Sequence, residues 1–161
     1  MRKNIYFITL IFISSIIFGC YQSTINETDT TTTTTTTEGL IIDYFSGGGR
    51  SSAYEKIYIS KDSAFREIGN HIETEINHWQ PTEKELADLG ILFEENKYLS
   101  ITSTESEEEV FDRGGVVITI LFKGNKKELN NSDDFFIDEK WKESFQTIKN
   151  RIIAYASSNS N

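Results

Sequence analysis

The chain has 161 residues, and its 25 acidic side chains outnumber the 16 basic ones, which gives a formal net charge of −9 at pH 7. This acidic balance argues against nucleic acid as a partner, because a phosphate backbone is bound by clusters of Lys and Arg. The single cysteine excludes a disulfide within the chain, so the fold must hold without one.

The first twenty residues are organised like a secretory signal peptide. A basic head at residues 1–4 precedes an apolar run from Ile5 to Phe18, and Gly19 and Cys20 follow it. The apolar run is shorter than the roughly 20 residues that a membrane-spanning helix needs. The end of the segment, Ile17-Phe18-Gly19-Cys20, resembles the lipobox of bacterial lipoproteins.

The lipobox resemblance implies that residues 1–19 are removed and that Cys20 is acylated. Several buried acyl chains hold a protein durably on a membrane, so the lipid bilayer is an expected partner through Cys20. We therefore expect a lipid-anchored protein of the bacterial cell envelope, with its domain outside the cytoplasm. Cleavage would remove Arg2 and Lys3 and no acid, which would change the formal charge from −9 to −11.

A threonine-rich segment at residues 20–38 follows the predicted cleavage site. Eight consecutive threonines, Thr30 to Thr37, occur in a stretch without apolar periodicity. Such a segment cannot bury enough apolar surface to offset the entropy of ordering it, which predicts a tether. Because Ser/Thr tracts are frequent sugar acceptors, a glycosylated stalk is the alternative.

The globular part begins with a predicted β-hairpin. Residues 40–45 and 53–59 are both strand-like, and a glycine-rich loop joins them. The candidate partner-binding or anion-binding residues are those of this loop: Gly47, Gly48, Gly49 and Arg50. A flexible hairpin tip without a ligand is the expected interpretation, and contact with an anion or a partner is the alternative.

Two helices are predicted next. The first runs from Asp62 or Ser63 to about Trp79, on an apolar stripe of Phe65, Ile68, Ile72, Ile76 and Trp79. Thr82 and Glu85 form a capping-box pattern for a second, short helix that Gly90 is expected to close.

Three potential metal ligands lie on the first predicted helix. His71, Glu75 and His78 would share one helix side, and imidazole with carboxylate is a donor set that suits Zn²⁺. A helical metal site needs ligands from a second helix as well. We therefore expect polar residues flanking an apolar stripe, with no metal or other cofactor.

The second half of the sequence predicts more strands and a closing helix. Residues 97–103 and 116–122 are strand-like, an acidic run at 105–109 is expected to be solvated, and a turn is expected at 123–126. The helical stripe is Ile137, Trp141, Phe145, Ile148 and Ile152.

The predicted order is β-β-α-α-β-β-(β)-α, which indicates an α+β fold. We expect one domain at residues 39–157, built as an antiparallel sheet of four or five strands with two long helices on one face. Residues 158–161 would form a polar tail.

The segment Ile42-Asp43-Tyr44-Phe45-Ser46-Gly47-Gly48, with the strand and helix order that follows it, resembles emfourin-type inhibitors of thermolysin-like proteases. The resemblance implies protease inhibition. The residues themselves favour a non-enzymatic module that binds a protein or another envelope component, since no Gly-x-Ser-x-Gly elbow is present and Cys20 is expected to be acylated. A small envelope enzyme of unrecognised class is the remaining alternative, because carboxylate pairs are plentiful.

Overall fold

The computed structural model describes residues 39–50, 52–107 and 114–160, which belong to one compact unit. The predicted signal peptide, the acylation site Cys20 and the threonine-rich tether lie outside the described residues. The described elements are β1 (Ile41–Gly47), β2 (Tyr54–Ser60), β3 (Ala64–Gly69), β4 (Thr74–Trp79), α1 (Glu83–Glu95), β5 (Ser103–Glu105), β6 (Gly115–Phe122), β7 (Asn125–Asn131), β8 (Phe135–Ile137) and α2 (Lys142–Asn159).

The α+β class is confirmed, but the strand count and the element order are not. The main sheet has six antiparallel strands in the order β4-β3-β2-β1-β6-β7, and β5 and β8 form a second, two-stranded sheet. The predicted hairpin at the start of the domain is confirmed, because β1 pairs with β2 along its whole length.

The core lies between one face of the main sheet and the two helices. Strand register brings Tyr44 of β1 opposite Ile57 of β2 and Ile118 of β6, and all three are buried. The helices contribute buried side chains to the same core, which are Leu86, Leu89, Phe93, Phe145, Ile148 and Ile152. Burial of these apolar side chains supplies the main driving force for folding.

The predicted helix at residues 62–79 is wrong, since this stretch forms the β3–β4 hairpin. The turn between the strands is an Asx turn, in which Asn70 Oδ1 accepts hydrogen bonds from the amides of Ile72 at 2.7 Å and Glu73 at 3.1 Å. Ile68 and Ile76 are β-branched, and such residues favour strands. Their spacing imitates a helical stripe, although they lie on two strands that a turn connects.

Helix α1 begins as predicted but does not end as predicted. The capping box is present, with the Glu85 amide donating to Thr82 Oγ1 at 3.3 Å and the Thr82 amide donating to Glu85 Oε2 at 2.8 Å. Gly90 is a buried interior position, and the helix continues to Glu95. A Cβ atom at Gly90 would lie 2.6 Å from Phe122 Cζ, so the glycine leaves room for that ring.

The C-terminal elements differ from the prediction at their starts. The predicted strand at residues 97–103 is wrong, since this stretch contains a 3-10 turn at Tyr98–Ser100 and only Ser103 belongs to β5. Helix α2 begins at Lys142, and Ile137 belongs to β8. Asp138 accepts hydrogen bonds from the hydroxyls of Thr102 at 2.5 Å and Thr104 at 2.7 Å, which ties this start to β5.

The turn between β6 and β7 is confirmed, and its left-handed positions are Lys123 (φ 50°) and Gly124 (φ 76°). The buried stripe of Phe145, Ile148 and Ile152 on α2 is also confirmed. Across residues 39–160, apart from the undescribed positions, no helix is both long enough and apolar enough to cross a membrane.

Candidate functional site

The face of the main sheet that points away from the core carries exposed and half-exposed aromatic and aliphatic side chains. We call it the open face; its side chains include Phe45, Lys56, Tyr58, Phe65, Glu67, Ile76 and His78. Tyr58 and Phe65 stack with their ring centroids 5.8 Å apart, and the His78 ring lies 5.9 Å from that of Phe65. Phe45 is 38% exposed and Ile76 is 50% exposed, so apolar surface is available to a partner.

An open pocket of about 420 Å³ lies at one end of this face. We call it the turn pocket; its lining is Phe45, Gly48, Gly49, Arg50, Ser52, Tyr54, Lys56 and His71. Antiparallel pairing places the β1–β2 turn and the β3–β4 turn at the same end of the sheet, since Tyr54 lies opposite both Gly47 and Gly69. Residues that are distant in sequence therefore line one pocket.

Glycines shape the turn pocket in two ways. Gly48 and Gly49 have φ values of +91° and +68°, which other residues rarely adopt, so the β1–β2 turn depends on them. Gly69 lets the ring of Tyr54 lie across the neighbouring strand, because a Cβ atom there would be 2.6 Å from Tyr54 Cζ. The ring consequently forms part of the pocket wall.

A polar network fixes the wall formed by Tyr54. Its hydroxyl donates to Glu67 Oε1 at 2.6 Å, and Lys56 Nζ lies 3.5 Å from the same oxygen and 4.9 Å from the centre of the Tyr54 ring. The hydrogen bond from Tyr54 is the main cause that lowers the pKa of Glu67, and the charge of Lys56 adds to it. The carboxylate is thus the ionised partner that holds both side chains in place.

The structure brings some of the predicted site residues together and separates others. Gly48, Gly49 and Arg50 line the turn pocket, and His71 joins them from the β3–β4 turn. Glu75 and His78 lie on opposite faces of β4, because side chains alternate along a strand. The predicted common helix side does not exist, and the described residues contain no group of three potential metal ligands.

Comparison with known proteins does not assign the chain to a family. No protein-family model and no curated protein matches it. The chemistry of the described side chains is therefore what indicates a function.

A second cleft, of about 580 Å³, lies at the same end of the domain but borders α2. Its lining is Ser46, Gly47, Gly48, Gly114, Gly115, Val116, Asn131, Ser132, Phe136 and Lys142. Lys142 is already engaged, since its Nζ lies 2.5 Å from Glu139 Oε2. Hydroxyl, amide and backbone groups supply most of the polar atoms of this cleft, and among the described residues its lining holds no acid–base pair.

The sequence interpretation missed Phe45, Tyr54 and Lys56 as pocket residues. Their contribution depends on strand register, which brings Phe45 opposite Lys56 and Gly47 opposite Tyr54, so that the three side chains lie on one face. The readable signal was the Gly69-Asn70 pair, a typical turn dipeptide in the middle of the stretch that was predicted to be a helix.

Proposed function

We propose that this protein is a lipid-anchored lipoprotein of the bacterial cell envelope whose exported domain binds a partner without catalysing a reaction. The observation that carries the proposal is the turn pocket, where the rings of Phe45 and Tyr54 lie beside Lys56 of β2 and beside Arg50 and His71, which come from two different turns. A concave site that combines aromatic rings with a few polar or charged side chains is suited to binding a ligand or a partner.

The two faces of the sheet support the same proposal. One face carries the core, where Ile42, Ile59 and Ile120 are no more than 1% exposed. The other face keeps Phe45 and Ile76 substantially exposed next to the stacked pair of Tyr58 and Phe65. Aromatic side chains are enriched at protein interfaces, and exposed apolar patches mark interaction sites.

The membrane anchor is tested by replacing the acylated cysteine. Cys20→Ser should abolish incorporation of a fatty-acid analogue, because it removes the sulfur to which the acyl group is attached, whereas Ser23→Ala should label normally. Fatty-acid labelling of cells that express each variant is the measurement. Unchanged labelling of Cys20→Ser would refute the lipoprotein assignment.

The binding surface is tested by site-specific photocrosslinking in living cells. A photoreactive amino acid at Phe45 or Ile76 should give discrete adducts, while the same residue at Ile91 on α1, which is 42% exposed, serves as the matched control. Adducts that are confined to positions 45 and 76 would support the open face as the binding surface. The same adduct pattern from position 91 would contradict it.

Protease inhibition is the second candidate function. The segment that carries the emfourin resemblance forms β1 and leads directly into the exposed turn at Gly48, Gly49 and Arg50. An exposed turn at the end of a rigid sheet can enter an active-site cleft. Titration of thermolysin with the purified protein tests this, since an inhibitor would reduce peptidase activity in proportion to its molar ratio and a different binding module would leave it unchanged.

A further inference from the structure

We propose that strand β4 is a docking edge for an extended segment of a partner protein, which adds a seventh strand to the six-stranded sheet and in which basic and aliphatic residues alternate. This inference rests on the proposed binding function and names the conformation and the chemistry of the partner segment. It is carried by the backbone of β4, by the residue types on that strand and by its uncompensated carboxylates.

The backbone of β4 has one side that no described strand pairs with. β4 is the last strand in the order β4-β3-β2-β1-β6-β7, and among the described residues it pairs with β3 alone. The Asn70 amide donates to the Glu73 carbonyl at 2.9 Å, so the ladder bonds to β3 come from Glu73 and from every second residue after it. The backbone N–H and C=O groups of Thr74, Ile76 and His78 therefore point away from β3. We call this row the β4 edge.

The β4 edge lacks the features by which sheet edges commonly avoid pairing with other chains. Such edges usually carry lysine or proline, or are interrupted by a β-bulge. β4 contains neither residue type, and its register with β3 is continuous over six residue pairs. The strand at the opposite end of the sheet, β7, carries Lys126 and Lys127 and is contacted by β8. Of these two end strands, β4 is therefore the better suited to accept an added strand.

The carboxylates on and beside β4 determine the sign of the partner segment. Glu73 and Glu75 are exposed, and neither has a cationic partner among the described residues. The side-chain amide of Asn77 donates to Glu75 at 3.0 Å, which leaves the charge uncompensated, whereas the neighbouring Glu55 is already paired with Arg66 at 2.7 Å. A lysine or arginine opposite Glu75 on an added strand is therefore complementary, and the net charge of −9 attracts a basic segment over longer distances.

The open face provides the contact for the aliphatic residues of the segment. A residue that exchanges backbone hydrogen bonds with Ile76 lies directly opposite it and places its side chain on the same face. Ile76 is 50% exposed, so an aliphatic side chain there removes apolar surface from water. Because side chains alternate along a strand, the next residue of the segment faces Glu75 on the other side of the sheet. Aliphatic and basic residues must therefore alternate.

A second copy of this chain is the less complementary occupant. Antiparallel pairing of two β4 strands centred on Ile76 would place Glu75 opposite Asn77 of the other copy, and pairing centred on Asn77 would place it opposite Trp79. In both registers the carboxylate of Glu75 would face a side chain without a positive charge. The second copy would also bring a second net charge of −9 to the same edge.

The test uses the full chain, solubilised in detergent, and short peptides with blocked ends. The basic probe is N-acetyl-Val-Lys-Val-Lys-Val-amide, and the acidic probe has glutamate in place of both lysines. The readout is hydrogen exchange at the backbone amides of Thr74, Ile76 and His78, measured by ¹⁵N-edited NMR during a titration. The basic peptide should slow this exchange and bind about tenfold more tightly than the acidic one. Equal binding of both peptides, or protection confined to other residues, would overturn the proposal.

Backbone methylation of the peptide separates strand addition from attraction between charges. In an added strand the amides of the valines bond to β4, whereas the amides of the lysines point away from it. N-methylation of the central valine should therefore weaken binding about tenfold, and N-methylation of one lysine should leave most of the affinity. Equal losses from the two methylations would refute strand addition.

Charge-neutralising variants of the protein locate the carboxylate that is recognised. Glu75→Gln should weaken binding of the basic peptide about threefold, the size expected of an exposed ion pair, and should reduce its preference over the acidic peptide. Glu128→Gln is the matched control, because Glu128 is exposed on the other end strand, β7, and its replacement should leave affinity unchanged. An equal loss in Glu128→Gln would refute a local contact at β4, and unchanged NMR dispersion verifies that each variant is folded.

Other occupants of the β4 edge and the two levels of the proposal give distinct results. Protection of the three amides without peptide would overturn this inference: if it is independent of protein concentration, the chain itself covers the edge, and if it rises with concentration, a second copy does. Crosslinks from positions 45 and 76 in cells without protection by the basic peptide would overturn this inference alone. Protection by the basic peptide without crosslinks would support strand addition and overturn the open face as the binding surface.

Discussion

Replacement of Gly90 by alanine should destabilise the domain, although alanine is the better helix former. In an exposed helix interior, Gly→Ala stabilises by about 1 kcal/mol. At Gly90 the new Cβ would lie 2.6 Å from Phe122 Cζ and 3.0 Å from Cε2, well inside ordinary van der Waals contact. Phe122 is 1% exposed, and the Tyr98 ring lies 6.4 Å from it, centre to centre, so its ring has little room to move.

The expected size follows from the two opposing effects. Overpacking of a tight core costs about 1–3 kcal/mol, and the helix-propensity gain offsets about 1 kcal/mol of it. We therefore expect a net destabilisation of about 1 kcal/mol, measured from urea denaturation midpoints at unchanged m value. A variant that is more stable than the parent by 0.5–1 kcal/mol, as at an exposed position, would refute the close contact between Gly90 and Phe122.

A double-mutant cycle isolates the contact. Phe122→Leu removes the ring atoms that Cβ would meet, so Gly90→Ala in that background should become stabilising by up to about 1 kcal/mol. The resulting interaction energy of about 2 kcal/mol lies within the range seen for contacting residues. Additive free energies would mean that the cost of Gly90→Ala arises elsewhere.

Other predictions concern the closing helix and the capping box. Phe145→Ala should cost about 3–5 kcal/mol in urea denaturation, because Phe145 is 1% exposed, whereas Gln146→Ala on the exposed side should change stability by less than about 0.5 kcal/mol. Equal denaturation midpoints for Phe145→Ala and Gln146→Ala would mean that the buried side of α2 is assigned wrongly. The Thr82 backbone hydrogen bond is the main cause that lowers the pKa of Glu85 in the folded state. The stabilisation by Glu85 is thus present above the unfolded pKa of about 4.3 and is lost as the pH falls through the lower folded pKa. Glu85→Gln should therefore show a smaller loss of stability between about pH 5 and pH 3 than the parent, and parallel profiles would contradict this assignment.

Local signals predicted the parts of the fold that depend on a few adjacent residues. The capping box at Thr82 and Glu85 marks the start of α1 because its hydrogen bonds close within one turn. The glycine-rich loop after β1 predicted a hairpin because neighbouring antiparallel strands need only a short connection. The stripe on α2 was visible because one helix face is buried along its length.

The β3–β4 hairpin was misread because its burial pattern carries little information. Most of β4 is exposed on both sides, so no alternation of apolar and polar residues marks it as a strand. Ile68, Ile72 and Ile76 then imitate a helical stripe, although Ile72 is 93% exposed in the turn. Gly69 and Asn70 are the local turn signal, and in the folded protein this turn prevails over the helical spacing of the isoleucines.

The turn pocket could not be predicted without the strand order. Arg50 and His71 belong to different turns. Those turns lie at the same end of the sheet only because β1, β2, β3 and β4 are neighbours in the sheet in that order. Sequence reasoning singled out both residues but assigned them to unrelated sites. Their shared lining is a property of tertiary structure.

Strand β1 is the first described strand of the chain, yet it lies in the middle of the sheet, between β2 and β6. Its second edge pairs with β6, from Ile41 opposite Leu121 to Gly47 opposite Gly115, so the backbone groups along that edge have no partner strand until β6 has been synthesised. Such an edge is a template for pairing with other chains. Slow synthesis of the C-terminal half should therefore favour aggregation, and a factor that shields β1 until β6 is available would increase the yield of folded protein.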